Sequence, residues 1–361
     1  MKRSLDQRIA DVRRLLAAAR TVFERRADLS PAIARSTGLT PEGVELGFDS
    51  LERDASEDQV RELVMAAGEA QGVHVILAPN VFVAPLRALA LARAASERVT
   101  VRPSSREPIL PRAIVDAAGD GAIAVVDDRD VSVLDCAEIH VYGRDATTEA
   151  VCRRARPEAV VRVHGPGIGV AFVSSSVDVE AAAEQIARDV VAFDQRGCLS
   201  PRIAFVEGPA NRGERFGSAL HGQLAWWEGR VPRGRLDPTE LGQAASWRDA
   251  VAFAGRLWRG SAHAVGLAPS GAPLVLPPAG RHLHVSVVGS VEDLAAQMAP
   301  LVRFIVAVGA DDPRALGEVV PKHARVSGLG WMQRPPLDGP VDRRSLWDAP
   351  VTSARALPCS G

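Results

Sequence analysis

Three short stretches of the chain carry side chains able to do covalent or binding chemistry. Cys198 stands in Asp194-Gln195-Arg196-Gly197-Cys198-Leu199-Ser200-Pro201. Glycine beside it lets another group approach the backbone closely. A cysteine after a helix can be a nucleophile where its thiolate is populated and reachable. The other reading of the same residue is a buried, inert thiol. Asn80 follows the apolar run Val73 to Leu77, between Pro79 and Val81. Past a buried strand its amide could donate to a developing oxyanion, or it could merely form a turn after proline. Arg102, Pro103, Ser104 and Ser105 follow a second short run, Val99 to Val101. A fork-shaped cation beside hydroxyls suits a ribose or a phosphate; the alternative is a solvated loop.

Other groups carry weaker signals. His164-Gly165-Pro166-Gly167-Ile168-Gly169 is rich in glycine but lacks the GxGxxG spacing, so it is a poor phosphate loop. His282 and His284 alternate on one strand face with no third ligand in view, so no metal site is expected. Trp226 and Trp227 read as packing rather than as a stacking platform.

These residues need elements to hold them. The first forty residues read as helix, and Thr40-Pro41 is an N-cap followed by proline at the first helical position. Apolar runs at Val73–Leu77, Val99–Val101, Ala122–Val126 and Ile139–Tyr142 alternate with helical stretches at Pro85–Ala95 and Ile109–Ala118. That alternation predicts an α/β domain with a parallel sheet. A second α/β unit starts near Gly165, with a strand at Val170–Val173, a helical face at Ala183, Ile186, Val190 and Phe193, and a strand at Ile203–Val206. Glycines and prolines from Arg325 onward predict an irregular end.

Composition excludes several classes. The 43 basic residues nearly balance the 44 acidic ones, for a net charge of −1 over 361 residues. A nucleic-acid binder needs a basic face, and a disordered acidic chain needs the opposite excess. All the basic residues except Lys2 and Lys322 are arginine, so an Arg can stand where relatives carry Lys. Four cysteines with no Cys-x-x-Cys exclude a disulfide scaffold and a thiol zinc ribbon. No apolar run approaches the ~18 residues of a membrane span, and no signal peptide is evident. A soluble, cytoplasmic protein is expected.

Four blocks, in order, resemble those of the LuxC-type fatty acyl-CoA reductases, a branch of the aldehyde dehydrogenase superfamily. They are Pro79-Asn80-Val81, Val101-Arg102-Pro103-Ser104-Ser105-Arg106-Glu107-Pro108, Tyr142-Gly143-Arg144-Asp145-Ala146-Thr147, and Phe193 through Pro201, the last being the most specific. The likeness extends over roughly residues 35 to 345. It implies an α/β, aldehyde dehydrogenase-like fold of two Rossmann-type domains with the active site in the cleft between them. The expected parts are a cofactor domain at 1–165 with a helical N-terminal segment, a catalytic domain at 166–345, and an irregular tail at 346–361.

The resemblance also implies a mechanism. Cys198 attacks the thioester of an acyl-CoA or acyl-protein donor, Asn80 and the Cys198 N–H hold the oxyanion, and a nicotinamide reduces the acyl-enzyme to the aldehyde. Arg102, Pro103, Ser104, Gly143 and Gly165 would line the cofactor. A neutral Ser104 with Arg102 favours NADPH over NADH, and no metal is implied. His164 stands at the place of the water-activating Glu of aldehyde dehydrogenases, where hydrolysis would waste a reductase's intermediate. Homo-oligomers are common in the superfamily, and an acyl-transferring partner enzyme is conceivable. The interval from Pro108 to Glu138 is short, implying that one α/β unit is trimmed. This keeps open a second reading, a catalytically weak or inactive relative acting as a binding or assembly partner. A third, an oxidising semialdehyde dehydrogenase, is disfavoured by the missing Glu.

Overall fold

Ser4 caps the first helix reciprocally. Its hydroxyl accepts the Gln7 N–H, and the Gln7 side chain accepts the Ser4 N–H. In the computed structural model, which describes residues 3–119, 121–269 and 271–340, four helices open the chain: α1 (Leu5–Glu24), α2 (Arg26–Thr37), α3 (Pro41–Phe48) and α4 (Glu57–Ala67). Then follow β1 (Val73–Ile76), α5 (Pro85–Ala95), β2 (Val99–Arg102), α6 (Ile109–Ala118), β3 (Ile123–Val125), β4 (Glu138–Tyr142), α7 (Asp145–Arg154) and β5 (Val160–His164). The apolar side of α1, with Val12, Leu15, Leu16 and Ala19 buried, lies on α5 and α6.

The chain divides into two units. One holds the residues up to Thr37, Phe48–Pro166 and the segment from Pro336; the other holds Gly38–Gly47 and Gly167–Pro335. The first unit has a five-stranded sheet in the order β3-β2-β1-β4-β5, parallel throughout. Strand order reverses between β1 and β4, and the crevice at such a switch point is where open α/β sheets bind ligands.

The second unit contains β6 (Ile168–Val173), α8 (Val179–Val191), β7 (Pro201–Glu207), α9 (Ala210–Glu228), α10 (Pro238–Ala254), β8 (Arg256–Arg259), β9 (Ala264–Leu267), β10 (His282–Val288), α11 (Val291–Met298), β11 (Ile305–Ala310) and β12 (Arg325–Gly328). Its seven strands run β12-β11-β6-β7-β10-β9-β8, parallel except for the edge strand β8. Strands β6 and β11 are buried along their whole length, as expected for a sheet covered on both faces. Among the described residues no helix is long and apolar enough to cross a membrane.

The expected boundaries differ from the observed ones in two places. Residues 38–47, expected with the first part, belong to the second unit. There the Arg235 N–H donates to the Gly38 carbonyl (3.2 Å), Thr40 donates to the Pro232 carbonyl (3.0 Å), and Leu46 packs on the second unit's core. Residues 336–340, expected with the second part, belong to the first. The Arg87 guanidinium collects the carbonyls of Leu337, Gly339 and Pro340 there. The expected tail at 346–361 lies outside the described residues. The chain is not irregular from Arg325 onward, because β12 pairs with β11 before the loops begin. Between Pro108 and Glu138 lie α6 and β3, and the link from β3 to β4 holds one 3-10 turn, Val131–Val133, and no α-helix among the described residues.

Phe205 lies at the centre of β7, fully buried and packed among Phe172, Ile203 and Leu294. Phe205→Ala should cost about 3–5 kcal/mol of unfolding free energy in urea titrations. A loss below ~1 kcal/mol would show that this core repacks around the gap.

Candidate active site

Four strand ends of the first unit meet along one sheet edge. Ile76 is in register with Arg102 on one side and Val141 on the other, and Tyr142 is in register with His164. The loop after β1 carries Asn80, exposed to solvent. The one after β2 carries Pro103, buried, and Ser104, half-buried. Beyond β4, the Gly143 N–H donates to the His164 carbonyl (3.4 Å), and a Cβ on Gly143 would press on Thr147 at 3.3 Å. Gly165 follows β5 directly. The structure thus brings Asn80, Arg102, Pro103, Ser104, Gly143, His164 and Gly165 to the carboxyl edge of one parallel sheet. Gly167 and Gly169 are not part of a phosphate loop, because the chain there passes from β5 into β6 of the other unit.

Beside Arg102 is a cavity of about 300 Å³ lined by Arg102, Arg129 and Arg154 and floored by Val131, Ala146, Ala150 and Val151. Ala146, Ala150 and Arg154 fall at i, i+4 and i+8 of α7, so small side chains leave the space and the arginine stands at its end. Burial, and then the like charge of Arg129, lower the Arg102 pKa. Guanidiniums beside small apolar side chains suit a ligand with a flat ring and an anionic group. Sequence reading found Arg102 but missed Arg129 and Arg154. The alanine spacing on α7 was the available signal, though it looks like ordinary helix packing.

His164 is buried at the end of β5, its ring stacked flat on Tyr142 (4.2 Å between centroids, 5° between planes). The His140 ring lies 6.1 Å from it. Deeper in the same two strands, Glu138 takes both Nε and Nη2 of Arg162 at 2.6 Å and the His140 Nε2 at 3.0 Å. Burial alone would raise the Glu138 pKa. The arginine fork and the histidine overcome it and hold the carboxyl down at about 2. The stacked pair Tyr142 and His164 therefore stands on a charged clamp inside the sheet.

Cys198 belongs to the second unit. After α8 a 3-10 turn spans Ala192–Gln195, and Phe193, Asp194 and Gln195 all have left-handed backbone, with φ of 55°, 52° and 61°. Side chains clash there at roughly 1–2 kcal/mol per residue, so three in a row cost several kcal/mol. Arg281 (φ 67°) is the other non-glycine in that region among the described residues. Asp194 and Arg281 are bonded to each other. Nε and Nη2 of Arg281 donate to Asp194 Oδ1 (3.0 and 2.7 Å), and its Nη1 donates to the Val231 carbonyl (2.7 Å). The Gly234 N–H donates to Asp194 Oδ2 (2.9 Å), and the Gly280 N–H to the Asp194 carbonyl (3.0 Å).

Gln195 is sealed as well. Its amide donates to the carbonyls of Pro201 and His282, both at 2.7 Å, and accepts the His282 N–H at 2.8 Å. Between Gln195 and Pro201 the chain makes a turn closed by Ser200 N–H to the Gly197 carbonyl (3.2 Å). Cys198 is exposed on this turn. Underneath runs Gly169, where a Cβ would sit 2.4 Å from the Leu199 carbonyl oxygen, so only glycine lets β6 pass. The other described cysteines differ. Burial, more than the nearby Asp135, pushes the Cys136 thiol up to about 11, and burial also raises that of Cys152. His282 and His284 lie on β10, buried, with burial lowering both to about 4. Among the described residues no cluster of His, Cys, Asp or Glu could hold a metal ion.

The two α/β sheets define the aldehyde dehydrogenase fold, and solved structures share it. An oxidoreductase from Marinobacter aquaeolei matches with a TM-score of 0.70 at 12% identity, covering 91% of this chain and 78% of its own. The aldehyde dehydrogenase of Mycobacterium tuberculosis complexed with NAD+ matches at 0.68 and 15%, covering 90% and 78%. The NADP-dependent glyceraldehyde-3-phosphate dehydrogenase of Bacillus halodurans C-125 complexed with NADP matches at 0.64 and 15%, covering 91% and 79%. Within that fold the chain belongs to the acyl-CoA reductase (LuxC) family, whose model matches residues 45–320. It is an NAD(P)-dependent oxidoreductase acting on acyl and aldehyde groups. A search of curated proteins finds no match to the sequence.

The Glu138 clamp sets a pH dependence. A carboxyl held below its ordinary value of about 4.3 stabilises the fold above that value, and the contribution is lost as pH falls through about 2. Glu138→Gln should therefore lower the melting temperature clearly at pH 7 and less at pH 3. A gap of equal size at both would mean that the carboxylate charge contributes nothing.

Proposed function

We propose that the protein reduces an acyl-CoA or acyl-protein thioester to the aldehyde, using NADPH and a thioester intermediate on Cys198. The observation that carries this reading is the cysteine turn: an exposed thiol on backbone held in a left-handed conformation by buried side chains, while Cys136 and Cys152 carry thiols pushed up by burial.

The Cys198 thiolate adds to the thioester carbonyl. Asn80 and the Cys198 N–H donate to the oxyanion, the donor thiol leaves with a proton, and the acyl group stays on sulfur. Reduced nicotinamide supplies the hydride that turns this acyl group into a hemithioacetal. Collapse of that adduct breaks the C–S bond, frees the aldehyde and restores the thiolate. His164 lines the site as a neighbour of Tyr142 in place of a water-activating carboxylate, so the acyl-enzyme is spared hydrolysis. Arg102, Pro103, Ser104, Gly143 and Gly165 hold the cofactor, and Arg129 and Arg154 join Arg102 at its adenosine end. The reading extends, by likeness to the family, to fatty acyl groups and to a homo-oligomeric, cytoplasmic enzyme supplied by an acyl-transferring partner. The inactive alternative, motivated by a shortened cofactor domain, predicts that the protein does not bind reduced nicotinamide in a spectroscopic titration.

Two measurements test the reading. Cys198→Ala should abolish aldehyde formation from acyl-CoA, followed as loss of NADPH absorbance, whereas Cys136→Ala and Cys152→Ala should leave turnover in place. Near-normal turnover by Cys198→Ala would remove the covalent mechanism. For the cofactor, a charge-assisted hydrogen bond to a 2′-phosphate is worth ~1.5–3 kcal/mol, or a preference for NADPH on the order of 10- to 100-fold in kcat/KM. Arg102→Ala should erase most of it. Equal efficiencies with NADH and NADPH in the wild type, or a preference that the substitution leaves intact, would take Arg102 out of the site.

A further inference from the structure

The strained segment before Cys198 adds no strand pairing to the second unit's sheet. The second unit's sheet is continuous without it: β7 pairs with β10 from Ile203 and His284 onward and with β6 on its other side. A link from α8 to β7 could use glycine wherever the backbone turns left-handed. Instead this chain places Phe193, Asp194 and Gln195 there, each fully or almost fully buried, and a fourth left-handed residue, Arg281, at the partner corner before β10. Asp194 and Arg281 are bonded to each other, and Gln195 is bonded to His282 beside Arg281. Strain that the surroundings over-determine in this way is a mark of preorganisation at a working site.

We infer that Arg281, Asp194 and Gln195 are positioning residues that fix the Cys198 turn for attack on the thioester, an inference resting on the proposed role of Cys198. The geometry assigns each a distinct task. Gln195 pins the turn at both ends: its backbone begins the segment, and its amide holds the Pro201 carbonyl where the segment ends. It also bonds both the N–H and the carbonyl of His282, standing in for a missing strand partner at the start of β10. Asp194 anchors the same segment from the side through Gly234, Gly280 and Arg281. Arg281 fills the space behind it and ties Asp194 to Val231. The three act through the backbone, by setting where the Cys198 N–H and Sγ stand relative to each other.

The test uses full-length Arg281→Lys and Gln195→Leu. Acyl transfer from tetradecanoyl-CoA to the protein is followed by intact mass, with no nicotinamide present. In parallel, hydrogen exchange is read on peptides covering residues 193–201. Both variants should show faster exchange confined to that segment and to the 280–282 corner. The maximal acylation rate should drop about 100-fold, the scale expected for misplacing a reacting group by about an ångström, while the acyl-CoA concentration for half-maximal rate stays unchanged. Acylation at the wild-type rate, or slow acylation with unchanged exchange at 193–201, overturns the inference. If Arg281→Lys fails to fold, Gln195→Leu, which preserves the buried ion pair, decides by the same two readouts. Cys198→Ala separates the two claims. If that variant still takes up the acyl group, the nucleophile assignment falls and the positioning role falls with it. If it does not, the result for the other two variants bears on positioning alone.

Discussion

A guanidinium cut off from water has to be matched by a carboxylate, and in the second unit that requirement organises the chemistry. Arg281 and Asp194 are each about 2% exposed or less. Removing one partner of such a pair strands the other charge and typically costs 3–5 kcal/mol. The pair does more than satisfy itself. Through its two oxygens and its own carbonyl, Asp194 gathers the turn after α8, the loop at Val231–Gly234 that leads to α10, and the corner at Gly280–Arg281 that leads into β10. These segments are far apart in sequence, and the ion pair is the point where they become one structure. The energy spent on left-handed backbone is offset by this network, and the cysteine turn takes its shape from the balance.

The first unit meets its demands differently. Its parallel strands bring four loops to one edge, and the chemistry there is a matter of which side chain tops which strand. The Glu138–Arg162–His140 group holds charge inside the sheet beneath the stacked rings of Tyr142 and His164. At the other side of the edge, like charges on Arg102, Arg129 and Arg154 are left facing an apolar recess. One cluster is internally neutralised and serves as support. The other gathers three guanidiniums around a small recess, where the proposed cofactor would be held.

Legibility in the sequence followed the range of the interactions. Helices α5 and α6 were readable to the residue, because proline, apolar spacing and flanking turns are local signals. The loops bearing Asn80, Arg102 and Cys198 were found for the same reason: each is a short block with its chemistry inside it. Strand β5 was missed because Val160-Val161-Arg162-Val163-His164 mixes polar groups that only the Glu138 clamp makes compatible with burial. Strand β12 was hidden among glycines and prolines, as a short edge strand often is. Arg281 could not be found at all. It lies 87 positions from Asp194, and a lone arginine in a Pro-rich loop looks solvated until the fold closes around it. The same applies to Arg129 and Arg154, and to residues 38–47, whose place in the second unit depends on contacts with Pro232 and Arg235.

That last segment has a consequence for how the molecule is made. Helix α3 and the residues just before it leave the ribosome ahead of every strand of the first unit, yet the core they join begins about 120 residues later, at Gly167. At synthesis rates of roughly 5–20 residues per second, Leu46 waits many seconds for its partners while the strands of the first sheet are made. Along the chain the two units are interleaved: the strands of the first lie between α3 and β6, and its final piece follows β12. Neither unit can be released by a single cut, and a nascent chain stalled before Gly167 would lack the core on which Leu46 packs.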